Sequence, residues 1–481
     1  MLRKIDIAIG TGMVGWLVIG FWSVFSYWYS EAHCDFVSRL NLIDTPGSAV
    51  FFSTALVFFI ISSFYIYKTF RDEEEIRDLA GRKLIFLASI LFLLFAFLVP
   101  SLNTHDISFY FSAGRSVSQG VNPFTEDWAM NNVYACPSLA SKQNGIMYGP
   151  ITVVIFGLTY ALAHGDALFF ILLWKFIMLL FFVITSSLIW KIIKLLSDNK
   201  IEKKSVFIFL SCQPAFVWYW IGNGQFEALW IIFALLALLY SLKRKWFAVF
   251  ICLVIGIWIK FIPLLIAPWF VLWWWQDTNR ANWKNNVGQA VLSFILSTAI
   301  TYLVWLPFWA GSKTVHTILL QSKWAVNSLF SLLYYSLKPL FVQLFNGDAH
   351  WWLTRLLHLA LFIFVLYLVY PLLKKVYLIL LKRTYWTPIS YITAIFISML
   401  VFLAIWQKSF WPWYLSSWLL PFGILLFFTV KSKSLEKILI WLSTMPLAFY
   451  IIWIINHVTR GTDAPSELWF YYVVFILTWV Y

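Results

Sequence analysis

A carboxylate stands where a long apolar run ends. LIFLASILFLLFAFLVP (residues 84–100) leads into SLNTHDISFYFSAGRSVSQGVNPF, with His105 and Asp106 just past the run. Two roles fit Asp106. As an N-cap it satisfies the free amides at the start of the helix that ISFYFSAGR suggests. As a general base it uses a position beside apolar and aromatic surface, where a carboxylate's pKa can rise toward a useful range. His105 either tunes Asp106 or is exposed. Glu126 and Asp127, after NPF, form a second carboxylate pair in a more loop-like setting and rival Asp106.

Cations inside apolar runs are costly and usually face a cavity or a partner. Lys260 ends one such run. Arg355 and His358 lie one turn apart on another. Lys408 precedes WPWY, and Lys175 lies about two turns into its run. For Arg355 and Lys408 the competing reading is snorkelling to the headgroups. For Lys175 it is a buried pair with an acid such as Glu227. Arg115, further along from Asp106, is either a second anion contact or an interfacial anchor.

The elements that must hold these groups are membrane helices. The 481 residues are 62% hydrophobic and 12% charged, with mean hydropathy +0.81, against roughly a quarter charged in soluble domains. Apolar runs predict an all-α polytopic protein with about fourteen crossings. They fall near 6–29, 48–68, 83–101, 167–196, 205–221, 226–242, 246–260, 262–276, 286–310, 352–377, 388–406, 411–430, 434–456 and 466–481. The first run is long enough to span rather than serve as a short cleavable signal.

The net charge of +14 does not point to nucleic acid, because the basic residues sit in short loops between apolar runs. Most of the 35 Lys and Arg fall on one side if 148–165 is an interfacial or re-entrant helix rather than a span. Both termini are then cytoplasmic, and two long loops, 102–166 and 311–351, face outside. RDEEEIRD reads as a solvated face. No Walker motif or Gly-rich strand–helix turn is present, nor a metal-type cysteine spacing. Cys34 and Cys136 fall outside, where a disulfide between them is allowed, while Cys212 and Cys252 read as small core residues.

HDISFYFSAGRSVSQGVNPF resembles the first outer loop of GT-C glycosyltransferases, in the bacterial GT87-like and mannosyltransferase branches. Asp106, Tyr110, Gly120, Asn122, Pro123 and Phe124 match in type and order. Tyr148–Gly149–Pro150 resembles the Tyr-x-Pro that opens an interfacial helix there. IGNGQFEALWIIFALLALLYSLKRK, GIWIKFIPLLIAPWF and QKSFWPWYLSSWLLPF resemble three later landmarks in sequence. The resemblance implies a catalytic core over 83–430, two extra helices in 1–82 and further helices in 431–481.

It also implies an inverting transferase. The donor would be a sugar on a polyprenyl monophosphate, a hexose such as mannose or glucose. The acceptor would be a hydroxyl of a glycolipid, glycan or cell-envelope polymer at the outer face. Asp106 would take the acceptor proton. Arg355, with Lys260 or Lys408, would gather the leaving phosphate, with Arg115 or His358 nearby. Gln225 and Glu227 would hydrogen-bond sugar hydroxyls, unless they cap a helix. Tyr110, Tyr148, Trp411, Trp413 and Tyr414 would line the cavity, though most of the 30 Trp must be membrane belts or packing. No cofactor is implied: no nucleotide diphosphate leaves, so a bound metal is not expected. A bacterial inner membrane, with the site facing the periplasm, fits the short inner loops. Two rivals are a flippase for lipid-linked sugars and an O-antigen ligase or polymerase. The absence of an internal repeat disfavours the first. A late outer loop poor in Arg disfavours the second.

Overall fold

The computed structural model describes residues 3–29, 46–70, 83–99, 104–125, 146, 148–197, 201–278, 283–320, 329–345, 349–381, 385–403, 414–430 and 432–460. All the regular structure among them is helical. Two helices, α1 (Lys4–Tyr29) and α2 (Pro46–Phe70), precede α3 (Lys83–Leu98), α4 (Thr104–Ser118) and α5 (Pro150–Leu162). Next come α6 (Ala167–Leu196), α7 (Lys203–Ser211) and α8 (Pro214–Gly222), whose last turn, Trp218–Gly222, is a π-turn. Then follow α9 (Glu227–Leu242), α10 (Trp246–Ile259), α11 (Pro263–Thr278), α12 (Trp283–Trp305), α13 (Ser312–Leu320), α14 (Leu329–Phe345), α15 (Ala349–Leu380) and α16 (Pro388–Val401). Last are α17 (Leu415–Val430), opening on a π-turn over Leu415–Leu419, and α18 (Lys433–Arg460). Several helices start on proline (Pro46, Pro150, Pro214, Pro263, Pro388), where the missing N–H costs nothing.

Four described helices are long and apolar enough to cross a membrane, or six if each of two bent pairs is one span. About fourteen runs read as spans in the sequence, and the difference has a physical origin. The fifth run is not a straight span: α7 and α8 meet at 76°, where Pro214 withholds an amide and follows the buried Gln213. The tenth run is bent by 58° between Trp352–Tyr367 and Tyr370–Leu380, beside Pro371. Six further apolar helices have only 10–17 residues. At 1.5 Å per residue the longest reaches about 24 Å, short of a hydrocarbon core of ~30 Å. One of these is α5, within the segment read as interfacial. The outer loop 311–351 contains α13 and α14. The last run, 466–481, and Cys34 and Cys136 lie outside the described residues.

One apolar core runs through most of the bundle, and α1 and α2 belong to it. Ser62 donates to the Ala8 carbonyl at 2.6 Å, and the Tyr67 and Ser443 hydroxyls meet at 2.9 Å. A smaller cluster stands apart: Leu353, Leu357 and Leu361 of α15 pack on α14 and Val401.

The motifs that follow α4 and precede α5 are docking devices. Gly120, at φ +73°, ends α4, and the Val121 amide returns to the Ser116 carbonyl at 2.9 Å, a glycine-terminated helix end. Asn122 then donates to the Phe308 carbonyl at 2.8 Å and accepts from the Phe124 amide at 3.0 Å. Phe124 is buried against Trp305 and Phe308. NPF thus seats the loop after α4 on the end of α12.

Gly149 is equally constrained. Its amide donates to the Ile259 carbonyl at 2.9 Å, and a Cβ there would lie 1.9 Å from the Trp258 carbonyl oxygen. Overpacking costs about 1–3 kcal/mol even where side chains can give way, and backbone gives way least. Gly149→Ala should therefore lower the thermal midpoint of the detergent-purified protein clearly. Gly288→Ala is the control: in α12, with nothing within 4 Å, it should hold or raise the midpoint, since Ala outlasts Gly in a helix by roughly 0.5–1 kcal/mol. Equal midpoints for the two variants would refute the close approach.

Candidate active site

Gly149 sets Tyr148 beside the end of α10, and Lys260 follows that helix directly. The third component is the turn from Gly222 to Glu227, between the π-turn of α8 and the start of α9. Gly224 takes φ +61° there. Gln225 and Glu227, which follow it in this turn, are both buried. These pieces converge on Asp106.

Asp106 sits in the first turn of α4, two residues past its first residue, Thr104, so it is not the N-cap. Its Oδ2 accepts a hydrogen bond from Gln225 Nε2 at 2.7 Å. Gln225 Oε1 in turn accepts from the Tyr110 hydroxyl at 3.4 Å. The amide orientation follows from chemistry, because a carboxylate needs a donor and a phenol supplies one. Burial first, then Tyr148, Asp106 and Glu227, pushes the Tyr110 phenol well above its ordinary range, so it stays neutral and donates. Burial and then Asp106 do the same for Tyr148. Tyr110 stacks on Phe156 at 4.6 Å, and Tyr148 lies 4.2 Å from Phe226 between ring centroids. The aromatic wall leaves Asp106 half-buried.

Glu227 has the opposite character. It is not a cap: Phe226 holds that position without a side-chain bond. Lys260 pairs with its Oε1, and both Trp230 and Trp418 donate indole N–H to its Oε2 at 2.7 Å. The Lys260 ammonium lies 4.8 Å from each of three ring centroids, Phe226, Tyr414 and Trp418, a cation–π box. Tyr414 stacks on Trp418 at 4.2 Å. Side-chain exposure is 1% for Glu227 and 12% for Lys260. Of the two carboxylates, Asp106 alone keeps partial access.

Lys175 does not pair with Glu227 as the sequence suggested. Its ammonium binds the carbonyls of Ala96 and Phe97 at 3.1 Å each, and that of Val99. Glu227 already has its cation in Lys260, and α6 places Lys175 at the end of α3 instead.

The structure thus brings together Asp106, Tyr110, Tyr148, Gln225, Glu227, Lys260 and Tyr414. It does not bring Arg355 and His358 into this group. Both lie on α15, in the region of the separate cluster with α14. Arg355 is exposed and His358 Nδ1 meets the Thr354 carbonyl of its own helix at 2.6 Å. Arg115 is in the last turn of α4, about 13 Å along the axis from Asp106 by helix rise. Lys408, Trp411, Trp413, Glu126 and Asp127 lie outside the described residues, and nothing is described of the His105 side chain.

Sequence reasoning passed over Trp230, Trp418 and Phe226. A signal existed, since Trp230 follows Glu227 by one helical turn and Trp418 follows Tyr414 by one. Among so many tryptophans it carried no weight.

Comparison with known families decides the class. The family model for the N-terminal domain of alpha-(1->6)-mannopyranosyltransferases, the MptA_B family, matches residues 9–277. The chain belongs to this family. The match spans more than half of it and contains Asp106, Tyr110, Tyr148, Gln225, Glu227 and Lys260. Tyr414 and Trp418 come from beyond the matched stretch, so the second half of this MptA_B-family chain closes the cation box. The mannosyltransferase side of the resemblance in the sequence is upheld, and the match is to this family rather than the GT87-like branch. No curated protein and no solved structure matches the chain. With several helices fit to cross a bilayer, this is a membrane glycosyltransferase of the mannosyltransferase type.

Proposed function

We propose that the protein is a GT-C-type inverting α-mannosyltransferase. It moves one mannose from a polyprenyl-monophosphate carrier to an acceptor hydroxyl at the outer face of the membrane. The observation that carries this reading is Asp106: a half-buried carboxylate, oriented by Gln225 and Tyr110, at the end of an apolar bundle. Asp106 removes the acceptor proton as the hydroxyl attacks the anomeric carbon. The carbon–oxygen bond to the carrier breaks, and the lipid phosphate leaves with the electron pair. Attack from the opposite side converts a β-linked donor into an α-linked product.

Lys260 is the cation we assign to the phosphate, since it stands over the Tyr414 ring and keeps 12% side-chain exposure. Tyr148, Tyr414 and Gln225 border the same space. Arg355 reads as an anchor at the membrane edge. The chain would cross the membrane several times, with both termini cytoplasmic and the site periplasmic in a bacterial inner membrane. The acceptor would be a glycolipid, a glycan or an envelope polymer.

The experiment is transfer from radiolabelled polyprenyl-phosphate mannose, with glucose and other sugars in parallel, into membrane glycolipids and glycans. Mannose should be transferred by the wild type and not by Asp106→Asn. Transport of the intact lipid-linked sugar with no transfer would replace this reading with a flippase.

A further inference from the structure

Two consecutive buried side chains of α6, Trp174 and Lys175, grip the two backbones that carry the Asp106–Gln225 hydrogen bond. Trp174 Nε1 donates to the Gly224 carbonyl at 2.6 Å, one residue before Gln225. Lys175 donates to the carbonyls of Ala96, Phe97 and Val99, the end of α3 from which the chain runs to Asp106. Trp174 is 0% and Lys175 1% exposed. The base helix and the Trp174 grip meet at Gly224, where a Cβ would lie 3.0 Å from Trp174 Cδ1 and 3.1 Å from Ile107 Cδ1. Ile107 directly follows Asp106. Glycine therefore lets the Gln225 turn press against both the base helix and the tryptophan that holds it.

Burying an ammonium is expensive, and apolar residues of similar volume are often as stable in its place. Among the described residues no carboxylate compensates Lys175. Its three acceptors are the carbonyls left open at a helix end, so its return is geometric: it fixes where α3 stops.

We infer that Trp174 and Lys175 are positioning residues for catalysis, setting the Asp106 carboxylate against the Gln225 amide. The inference rests on Asp106 being the base, and the reaction would suffer through misplacement of that group rather than through lost substrate contacts. A displacement near 1 Å costs about 10²-fold in rate.

The test uses full-length protein in membranes with Lys175→Met, Lys175→Arg and Trp174→Phe. Trp174→Phe keeps a ring and removes only the donor, so it guards against a Lys175→Met that fails to fold. Lys175→Met and Trp174→Phe should lower kcat for mannose transfer by about ten- to a hundredfold with donor KM unchanged. Lys175→Arg, which keeps a charged donor, should recover most of it.

The acidic limb of kcat should also move to higher pH. The Gln225 bond favours the charged carboxylate, so loosening it raises the base's pKa. Among the described residues, the titratable groups near Asp106 are Tyr110 on its own helix, Tyr148 ahead of α5, Glu227 on α9, Lys260 after α10 and Tyr414 at α17, and Lys175 on α6 holds the end of α3. None is altered in Trp174→Phe, so a limb shift there reports Asp106. A smaller folded fraction would not move the limb.

A second arm needs no activity. In a background lacking the four native cysteines, Cys is placed at 106 and 225 and linked with a short bis-thiosulfonate. Loss of the crosslink on adding Lys175→Met or Trp174→Phe supports positioning. If wild-type transfer is absent but the crosslink is lost, the glycosyl-transfer reading fails and the positioning stands. If transfer proceeds and kcat, pH limb and crosslink all match the wild type, the positioning is overturned.

Discussion

Asp106→Asn should lower mannose transfer by about 10²–10⁴-fold, the usual contribution of a positioned general base. Asn keeps the shape and a carbonyl oxygen that can still accept from Gln225 Nε2, so the fold and donor KM should change little. It removes the ability to take a proton. The comparison that gives this its meaning is the double variant Glu126→Gln with Asp127→Asn, at matched protein amount in the same membranes. It should retain transfer. Loss confined to the double variant would move the base to that pair while leaving the enzyme class intact. Acidification should also silence the wild type, as kcat falls when pH drops through the pKa of the base.

The second large effect lies in the sealed ion pair. Glu227→Leu should destabilise the protein by about 3–5 kcal/mol, the range for leaving one member of a buried pair uncompensated. It strands the Lys260 ammonium in its ring box and deprives the Trp230 and Trp418 indoles of their acceptor. Lys260→Met should cost less, because Glu227 keeps both indole donors and Met suits an apolar box. Glu227→Leu with Lys260→Met should recover much of the loss, since paired apolar replacements of buried ions are often neutral. Chemical-denaturation midpoints of the three variants form the double-mutant cycle. Additive losses would show that the pair is not coupled.

The two predictions separate two carboxylates that stand close together. In the sequence, Glu227 and Asp106 carry the same chemistry. Three donors on Glu227 and the greater access of Asp106 are what support the proposed division, one carboxylate for structure and the other for catalysis.

The sequence by itself determined the helical class and the membrane setting, because apolar run lengths are local features, and it singled out Asp106 as a carboxylate at a run's end. Tyr110, Tyr148, Gln225 and Lys260 were also legible, through ordered motifs that resemble a known family. What those side chains bind was not legible. Lys175 and Lys260 are each a lone cation near a run's end, and only packing gives one the carbonyls of α3 and the other Glu227. Arg355 led the cations in the sequence reading, and only packing shows that it lies on α15, beside the cluster with α14, while Lys260 lies against Glu227. The 76° break has a local signal in Pro214, whereas no local period announces the π-turns of α8 and α17. The roles of Gly149 and Gly224 are decided by a neighbouring backbone and an indole far along the chain. A glycine's lack of a side chain is written in the sequence, but the group that needs the space is supplied only by the tertiary fold.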